Sequence, residues 1–526
     1  MRLMIYDTTL REGMQSVGTA FTLKDKIRIA QLLDELGVSY IEGGSPASNP
    51  KDAEFYRAMR KLPLKHGKLT AFGATCRVRL HPAEDPAIAA LIDAGTDAVC
   101  VFGKSWDVQV RDVLRVTLEE NLKIIEDTVS YLKQRGKEVI YDAEHFFDAY
   151  RTNPAYAIQS VQRAADAGAD FVVLCDTNGG SFPAQISAAT AAAAAALGPD
   201  IKIGIHCHND CAMAEANAVT AVCAGAVMVH TTLKGIGERC GNTDFFTAVP
   251  NLQLKLGYAC IPENCLRKLT AYSYAVSDLF NIKPNPRAPY VGQNAFSHKA
   301  GMHIDAVVKQ PGTFEHINPE SVGSVRRLVL SEVSGKAAVL FKIKDILPEL
   351  SPQQQEAAAA ITVEKLKSME FEGYQFEGAE ASFSLLVRKA IHLYRPCFQL
   401  RSYKVITSNQ PPSGKDATAS AIVDVMVDEK EEITAANGTG PVDALDGALR
   451  KALAHFYPQI KTMRLVDYKV RVLDSNKATA SKVRVFIESS DGKMRWCTVG
   501  VSGDIIEASW HALVDAYEYM LMRDAE

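Results

Sequence analysis

The segment DTTLREGMQ (7–15) follows the apolar run LMIY and sets Arg11 beside Glu12. A carboxylate at a strand end is a hard oxygen donor for a divalent ion, and a guanidinium there can stabilise a developing oxyanion. Neighbouring side chains on an extended chain point in different directions. The expectation is therefore that Arg11 and Glu12 do not pair, and that each handles a different part of one ligand. The segment IHCHND (205–210) carries the second signal. His206 and His208 are two positions apart, which on a strand puts both imidazoles on one face, good geometry for two nitrogen ligands on one metal. Two imidazoles and Glu12 leave coordination positions open, as a catalytic site requires. Asn242, in GIGERCGN, can add a weak oxygen ligand. The cofactor expected is a divalent metal ion, Mg²⁺, Mn²⁺ or Zn²⁺.

An ion with open positions can chelate a 2-oxo acid through its carboxylate and keto oxygen. Attack on the polarised carbonyl builds negative charge on that oxygen, and Arg11 would stabilise it. Glu144, closing YDAE, is a candidate for general acid–base work or for ordering a water. Thr177, in LCDTNGG, can hydrogen-bond a substrate carboxylate. Phe72 and Phe102 end two further strands and would narrow the pocket to a small substrate. No cation is expected beside them for a second carboxylate.

These residues need a frame that gathers strand ends. A repeated phrase supplies it: LGVSYIEGG from Leu36, AGTDAVCVF from Ala94, AGADFVVLCD from Ala167 and AGAVMVHTT from Ala224. Each places a glycine after a helical pattern and before a short run apolar on both faces, the mark of a parallel strand. Between them fall LMIY (3–6), LTAFGA (69–74), EVIYDAE (138–144) and IKIGIHCH (201–208). Eight strands alternating with helices such as KDKIRIAQLLDEL predict a (β/α)8 TIM barrel over 1–275, with its active site at the C-terminal strand ends. An open doubly wound sheet is the rival, but no GxGxxG follows the first strand. Residues 276–395 read as a helical linker region. Beyond the break at SNQPPSGKD (408–416), strands then a helix occur twice. Pro441 suits a first helical turn and Asp504 a helix cap. This predicts a C-terminal α+β regulatory domain with internal duplication, over 396–526.

Composition excludes some partners. A net charge of −4 over 526 residues offers no basic field for nucleic acid or an anionic membrane. No run reaches ~18 apolar residues, and the N-terminal MRLMIYD does not read as a signal peptide. Eleven cysteines without a CxxC pair suggest reduced thiols and a cytoplasmic location.

Taken together, DTTLREG, DTNGG, HCHND, GIGERCGN, FSHKAGMHIDAV (296–307), NGTGPVDALDGALRKAL and VSGDIIEAS resemble the metal-dependent acyltransferase family of 2-isopropylmalate, homocitrate and citramalate synthases. YIEGGSPASNPKDAEFY (40–56) and DYKVRVL (467–473) look like its long citramalate-synthase branch. The resemblance implies a Claisen-type condensation of acetyl-CoA with pyruvate, then thioester hydrolysis to (R)-citramalate and CoA, feeding isoleucine synthesis. It places metal-ligand roles on Glu12, His206, His208 and Asn242 and the keto-acid contact on Arg11. Glu144 takes the place of the family's strand-5 glutamate. It implies that His303, from beyond the barrel, assists proton transfer near the acetyl group with Glu144; Asp305 can orient its ring. It also implies a homodimer and an amino-acid effector, isoleucine, on the C-terminal domain. Phe314, in TFEHI, stands where many relatives carry a tyrosine, so any role of that hydroxyl is missing here. The alternatives are 2-isopropylmalate or homocitrate synthase, a lyase of the same superfamily, and a non-catalytic amino-acid sensor.

Overall fold

A computed structural model describes residues 2–329, 336–407, 419–473, 481–492 and 494–525. The break expected at 408–416 lies outside them. The chain forms two compact units, Met1–Phe296 with Ile317–Val325, and Ser297–His316 with Arg326–Glu526.

The first unit is a closed parallel barrel of eight strands in sequence order. They are β1 (Met4–Asp7), β2 (Tyr40–Glu42), β3 (Lys68–Ala74), β4 (Ala98–Lys104), β5 (Glu138–Glu144), β6 (Phe171–Asp176), β7 (Lys202–Cys207) and β8 (Met228–Thr231). Pairing of β1 with β8 closes the ring and rules out the open sheet. Several helix starts are fixed locally. Thr22 and Thr117 form capping boxes with Asp25 and Glu120. Asn49, Asp85 and Asn153 cap helices that open with proline. The Ala-rich stretch is the helix Pro183–Leu197, and it stops at Gly198 with φ +75°.

Side chains alternate across each strand. One set faces outward and packs under the helices, with Ile5, Ile41, Val99, Val139 and Val172 fully buried. The other fills the barrel axis, where Tyr6, Tyr40, Cys100, Ile140, Phe171, Val173, Cys175 and Met228 form one cluster. Two residues further along a strand, the side chain faces the axis again, one layer nearer the C-terminal mouth. That rule lifts Glu42, Phe102, Lys104, Asp142, Glu144, His206 and His230 toward the mouth.

In the second unit, β9 (Ser297–His298) and β10 (Arg327–Leu328) pair in parallel, a feature the helical reading of 276–395 did not contain. Helices Gly301–Lys309, Lys336–Ile346, Pro352–Phe371 and Glu380–Ala390 follow the helical expectation. Then comes the duplication. β11 (Gln399–Thr407), β12 (Ala419–Val427) and β13 (Lys430–Gly438) form an antiparallel sheet followed by the helix Pro441–Ala454. β14 (Arg464–Val472), β15 (Val483–Ser490) and β16 (Arg495–Ser502) repeat it before the helix Ile505–Ala525. Pro441 sits in the first turn, and Asp504 Oδ1 accepts the Ile506 N–H at 2.6 Å. Both halves contribute to one core, including Val423, Leu445, Leu449, Ile487, Leu513 and Tyr517. Among the described residues, no helix is long and apolar enough to cross a membrane.

Candidate active site and metal centre

After β1 the chain does not stay extended. Residues Glu12–Gln15 wind into a 3-10 turn, with the Glu12 N–H donating to Thr8 O at 2.8 Å. The turn rotates Arg11 and Glu12 toward each other, and Arg11 Nη1 donates to Glu12 Oε2 at 2.6 Å. The expectation that these neighbours do not pair is therefore corrected. It assumed an extended backbone that ends four residues too early. Their other atoms still face different partners. Glu12 Oε1 lies 3.3 Å from His208 Nε2 and 3.7 Å from His206 Nε2. Arg11 Nε donates to Glu42 Oε1, and the guanidinium rests 3.6 Å above the Phe72 ring.

The two histidines arrive on one face of β7 and its continuation, with their Nε2 atoms 3.4 Å apart. Ligand atoms of Glu12, His206 and His208 all lie within 4.8 Å of one another, and all three residues are buried. Asn242 Nδ2 is 3.3 Å from His206 Nε2. Asn242 Oδ1 is buried without a hydrogen-bond partner, and a 180° amide rotation would exchange the two atoms. The loop GIGERCGN that presents Asn242 depends on its glycines. Gly241 has φ +87°, and a Cβ there would meet Gly235 O at 1.9 Å.

Electrostatics prepare this cluster for a cation. Burial alone would raise the Glu12 carboxyl, but Arg11 and the two imidazoles hold it well below the usual carboxylate range. Burial pushes His206 down, so its ring is neutral and offers a lone pair. Two imidazoles, an ionised carboxylate and an amide oxygen form a donor set that fits a divalent ion.

The strand-5 side of the mouth holds Glu144, and here the sequence reading missed a partner. β4 ends in Lys104, whose ammonium donates to Glu144 Oε2. A cation therefore does stand beside Phe102, contrary to expectation, because β4 runs two residues past the phenylalanine. Phe72 and Phe102 stack at 5.4 Å between centroids, 17° from parallel. Thr177 Oγ1 accepts the His145 N–H at 2.8 Å. Deeper in the axis, Glu42 accepts from Tyr6 Oη at 2.7 Å. Asp142, with Oδ1 unpartnered, is pushed up to about 8 by burial and by Glu42.

His303 and Asp305 belong to the second unit. The His303 ring stacks on Phe314 at 4.2 Å. Asp305 Oδ2 accepts from Lys309 Nζ at 2.7 Å, one turn along its own helix. The expected orientation of His303 by Asp305 is thus replaced by a stack, since residues two apart on a helix diverge. The cavity of about 520 Å³ lined by Asp34, Lys65, His66, Lys268 and Tyr272 lies at the opposite, N-terminal face of the barrel. It contains none of these residues.

With the geometry in place, the chain can be compared with known proteins. A family model described as HMGL-like matches residues 2–269. One described as homocitrate synthase post-HMGL domain-like matches 290–371. One described as LeuA allosteric (dimerisation) domain matches 377–521. An (R)-citramalate synthase of Aquifex aeolicus (strain VF5) is 49% identical over 526 residues, covering 100% of this chain and 99% of the relative. An (R)-citramalate synthase of Synechocystis sp. is 46% identical over 529 residues, covering 99% and 96%. A 2-isopropylmalate synthase of Methanocaldococcus jannaschii is 31% identical over 526 residues, covering 99% and 95%.

Proposed function

The chain belongs to the HMGL-like family and, within it, to the (R)-citramalate synthases, and from that premise we propose how its barrel mouth joins acetyl-CoA to pyruvate. The family makes it a metal-dependent acyltransferase of the Claisen type. Glu12, His206, His208 and Asn242 would hold the divalent ion, which when bound would supply Lewis-acid polarisation of the keto group. Arg11 stabilises the keto oxygen as negative charge grows on it. Its guanidinium is fixed by Glu42, Glu12 and the Phe72 face, so little reorganisation is needed. Thr177 already accepts the His145 N–H. Among the described residues its hydroxyl donates to no other group, which leaves that proton for the pyruvate carboxylate. The stacked Phe72 and Phe102 rings limit the pocket to a methyl-sized substituent. Glu144 is the general base for the acetyl methyl group, and a proton-transfer role is assigned to His303. Hydrolysis of the thioester releases (R)-citramalate and CoA.

The carboxyl-terminal match supports a homodimer and an allosteric role for residues 377–521. We assign isoleucine as the effector, because the product leads toward it. The free cysteines support a cytoplasmic location.

The observation that carries this reading is the Glu12, His206 and His208 donor cluster directly beside Arg11. It is tested by free-CoA release with pyruvate, 2-oxoisovalerate and 2-oxoglutarate, and by mass spectrometry of each product. Pyruvate is expected to give citramalate; preference for either larger acid overturns the assignment. Inhibition by isoleucine but not leucine, measured on the same enzyme, tests the effector.

A further inference from the structure

We propose that Lys104 is a catalytic residue, the cation that meets the thioester oxygen of acetyl-CoA as its enolate forms. The inference rests on Glu144 being the base and names the group that completes its chemistry.

Lys104 and Glu144 are direct register partners at the ends of β4 and β5. Both backbones are anchored. Asn121 Nδ2 donates to Lys104 O at 2.7 Å, and Ser105 N donates to Glu144 O at 3.2 Å. Their side chains remain 18% and 23% exposed, so both reach the open mouth. In an eight-strand ring, β4 and β5 stand opposite β8 and β1, which lie on the side of the metal-ligand cluster. A 2-oxo acid held there offers its keto carbon across the mouth, to an acetyl group arriving between Lys104 and Glu144.

The charge arrangement singles out Lys104. Arg11 is clamped between Glu12 and Glu42, and Arg239 forks onto Asp210. The Lys104 ammonium is paired instead with the one carboxylate that changes charge in the reaction. When a methyl C–H bond breaks, its proton goes to Glu144. The bonding pair forms the C=C bond, and the thioester C=O pair moves onto oxygen. Glu144 becomes neutral as that oxygen becomes anionic, so the ammonium passes from one anion to the next without an uncompensated charge. Attack of the enolate on the keto carbon then restores the thioester C=O and moves the keto C=O pair onto oxygen as an alkoxide. That alkoxide takes up the proton held by Glu144, and the regenerated carboxylate pairs with Lys104 again.

The test compares kcat, KM for pyruvate, the pH profile of kcat, and the deuterium isotope effect with trideuterioacetyl-CoA. The variants are Lys104→Met, Lys104→Gln, Lys104→Arg and Glu144→Gln. Lys104→Met is expected to lose about 10²–10³ in kcat at every pH, with the pyruvate KM within about twofold and a larger isotope effect. Lys104→Arg should recover at least about tenfold, since it keeps the charge. Lys104→Gln stands in if the methionine variant does not fold. A Lys104→Met kcat within about threefold of wild type, beside an inactive Glu144→Gln enzyme, overturns the Lys104 role alone. So does a loss that disappears at high pH, which would mean that Lys104 only sets the charge of Glu144. A normally active Glu144→Gln enzyme overturns the base assignment and the charge transfer with it.

Discussion

His206 turns Nδ1 to within 3.3 Å of Nδ1 of His230, while its Nε2 joins the metal-ligand cluster. Only one proton can lie between two such nitrogens. With His206 Nε2 committed as a lone pair, its Nδ1 must carry that proton and His230 must accept it. Burial, with His206 and Arg11 nearby, pushes His230 well below its usual range, which keeps it neutral. Its ring is held by stacking on Tyr6 at 4.1 Å. His230→Ala should therefore weaken metal binding by about 10–100-fold, read by titration against a competing chelator. His230→Phe keeps the stack and loses the acceptor, so it should weaken binding as much. Unchanged affinity in the phenylalanine variant would remove His230 from the site.

Arg11 lies between two carboxylates and on an aromatic face. Arg11→Ala should cost about 10²–10³ in kcat with the metal still bound. Arg11→Lys should not restore activity, because a point charge cannot span Glu12, Glu42 and the Phe72 ring together. Measured kcat/KM for pyruvate checks both, and a lysine variant at wild-type rate would refute the oxyanion role.

Much of this site was legible in the sequence because its signals are local. Glycine before a short apolar run marks a parallel strand, and the two-residue spacing of His206 and His208 carries its own geometry. Residues brought together by register were not legible. Glu42, Lys104 and His230 each stand alone on their strands, and each meets its partner from another strand. No spacing in the chain announces such a meeting. The Arg11–Glu12 pair failed for a different reason. A 3-10 turn of four residues leaves no hydrophobic period to read.

Asp142 makes stability depend on pH. Its folded value of about 8 lies above the ~3.9 of an unfolded aspartate. Between those limits the folded state binds the proton and the unfolded state does not. Stability should therefore fall as pH rises from ~4 to ~8, by about 1.4 kcal/mol for each unit of separation at most. Asp142→Asn should flatten that fall in metal-stripped enzyme, measured by urea denaturation at pH 5 and pH 8. Asp7, pushed up to about 7 by burial, should leave a residual slope. An unaltered slope in the asparagine variant would show Asp142 ionised in the fold.

Gly241 tests whether the loop after β8 positions Asn242. Alanine there meets both a left-handed φ and the carbonyl of Gly235, and backbone cannot move aside as a side chain can. Gly241→Ala should lower stability by about 1–3 kcal/mol and reduce metal occupancy, measured by thermal melting and elemental analysis. Gly180→Ala, where an added Cβ has open space, should do neither. Full occupancy in Gly241→Ala would mean that Asn242 is not held by this turn.

The stacked pair Phe72 and Phe102 separates substrate size from catalysis. Phe72 carries the Arg11 guanidinium on its face, whereas Phe102 carries no such contact with Arg11 among the described residues. Phe102→Ala should open room beside the pyruvate methyl while leaving Arg11 in place. Each added methylene is worth about 1–3 kcal/mol of discrimination, so the ratio of kcat/KM for 2-oxoisovalerate over pyruvate should rise at least about tenfold. Phe72→Ala removes the platform as well, and should depress kcat with both acids. Paired kcat/KM measurements on the two variants decide the matter. Equal ratios in Phe102→Ala and wild type would mean that the phenylalanine wall does not set the substrate.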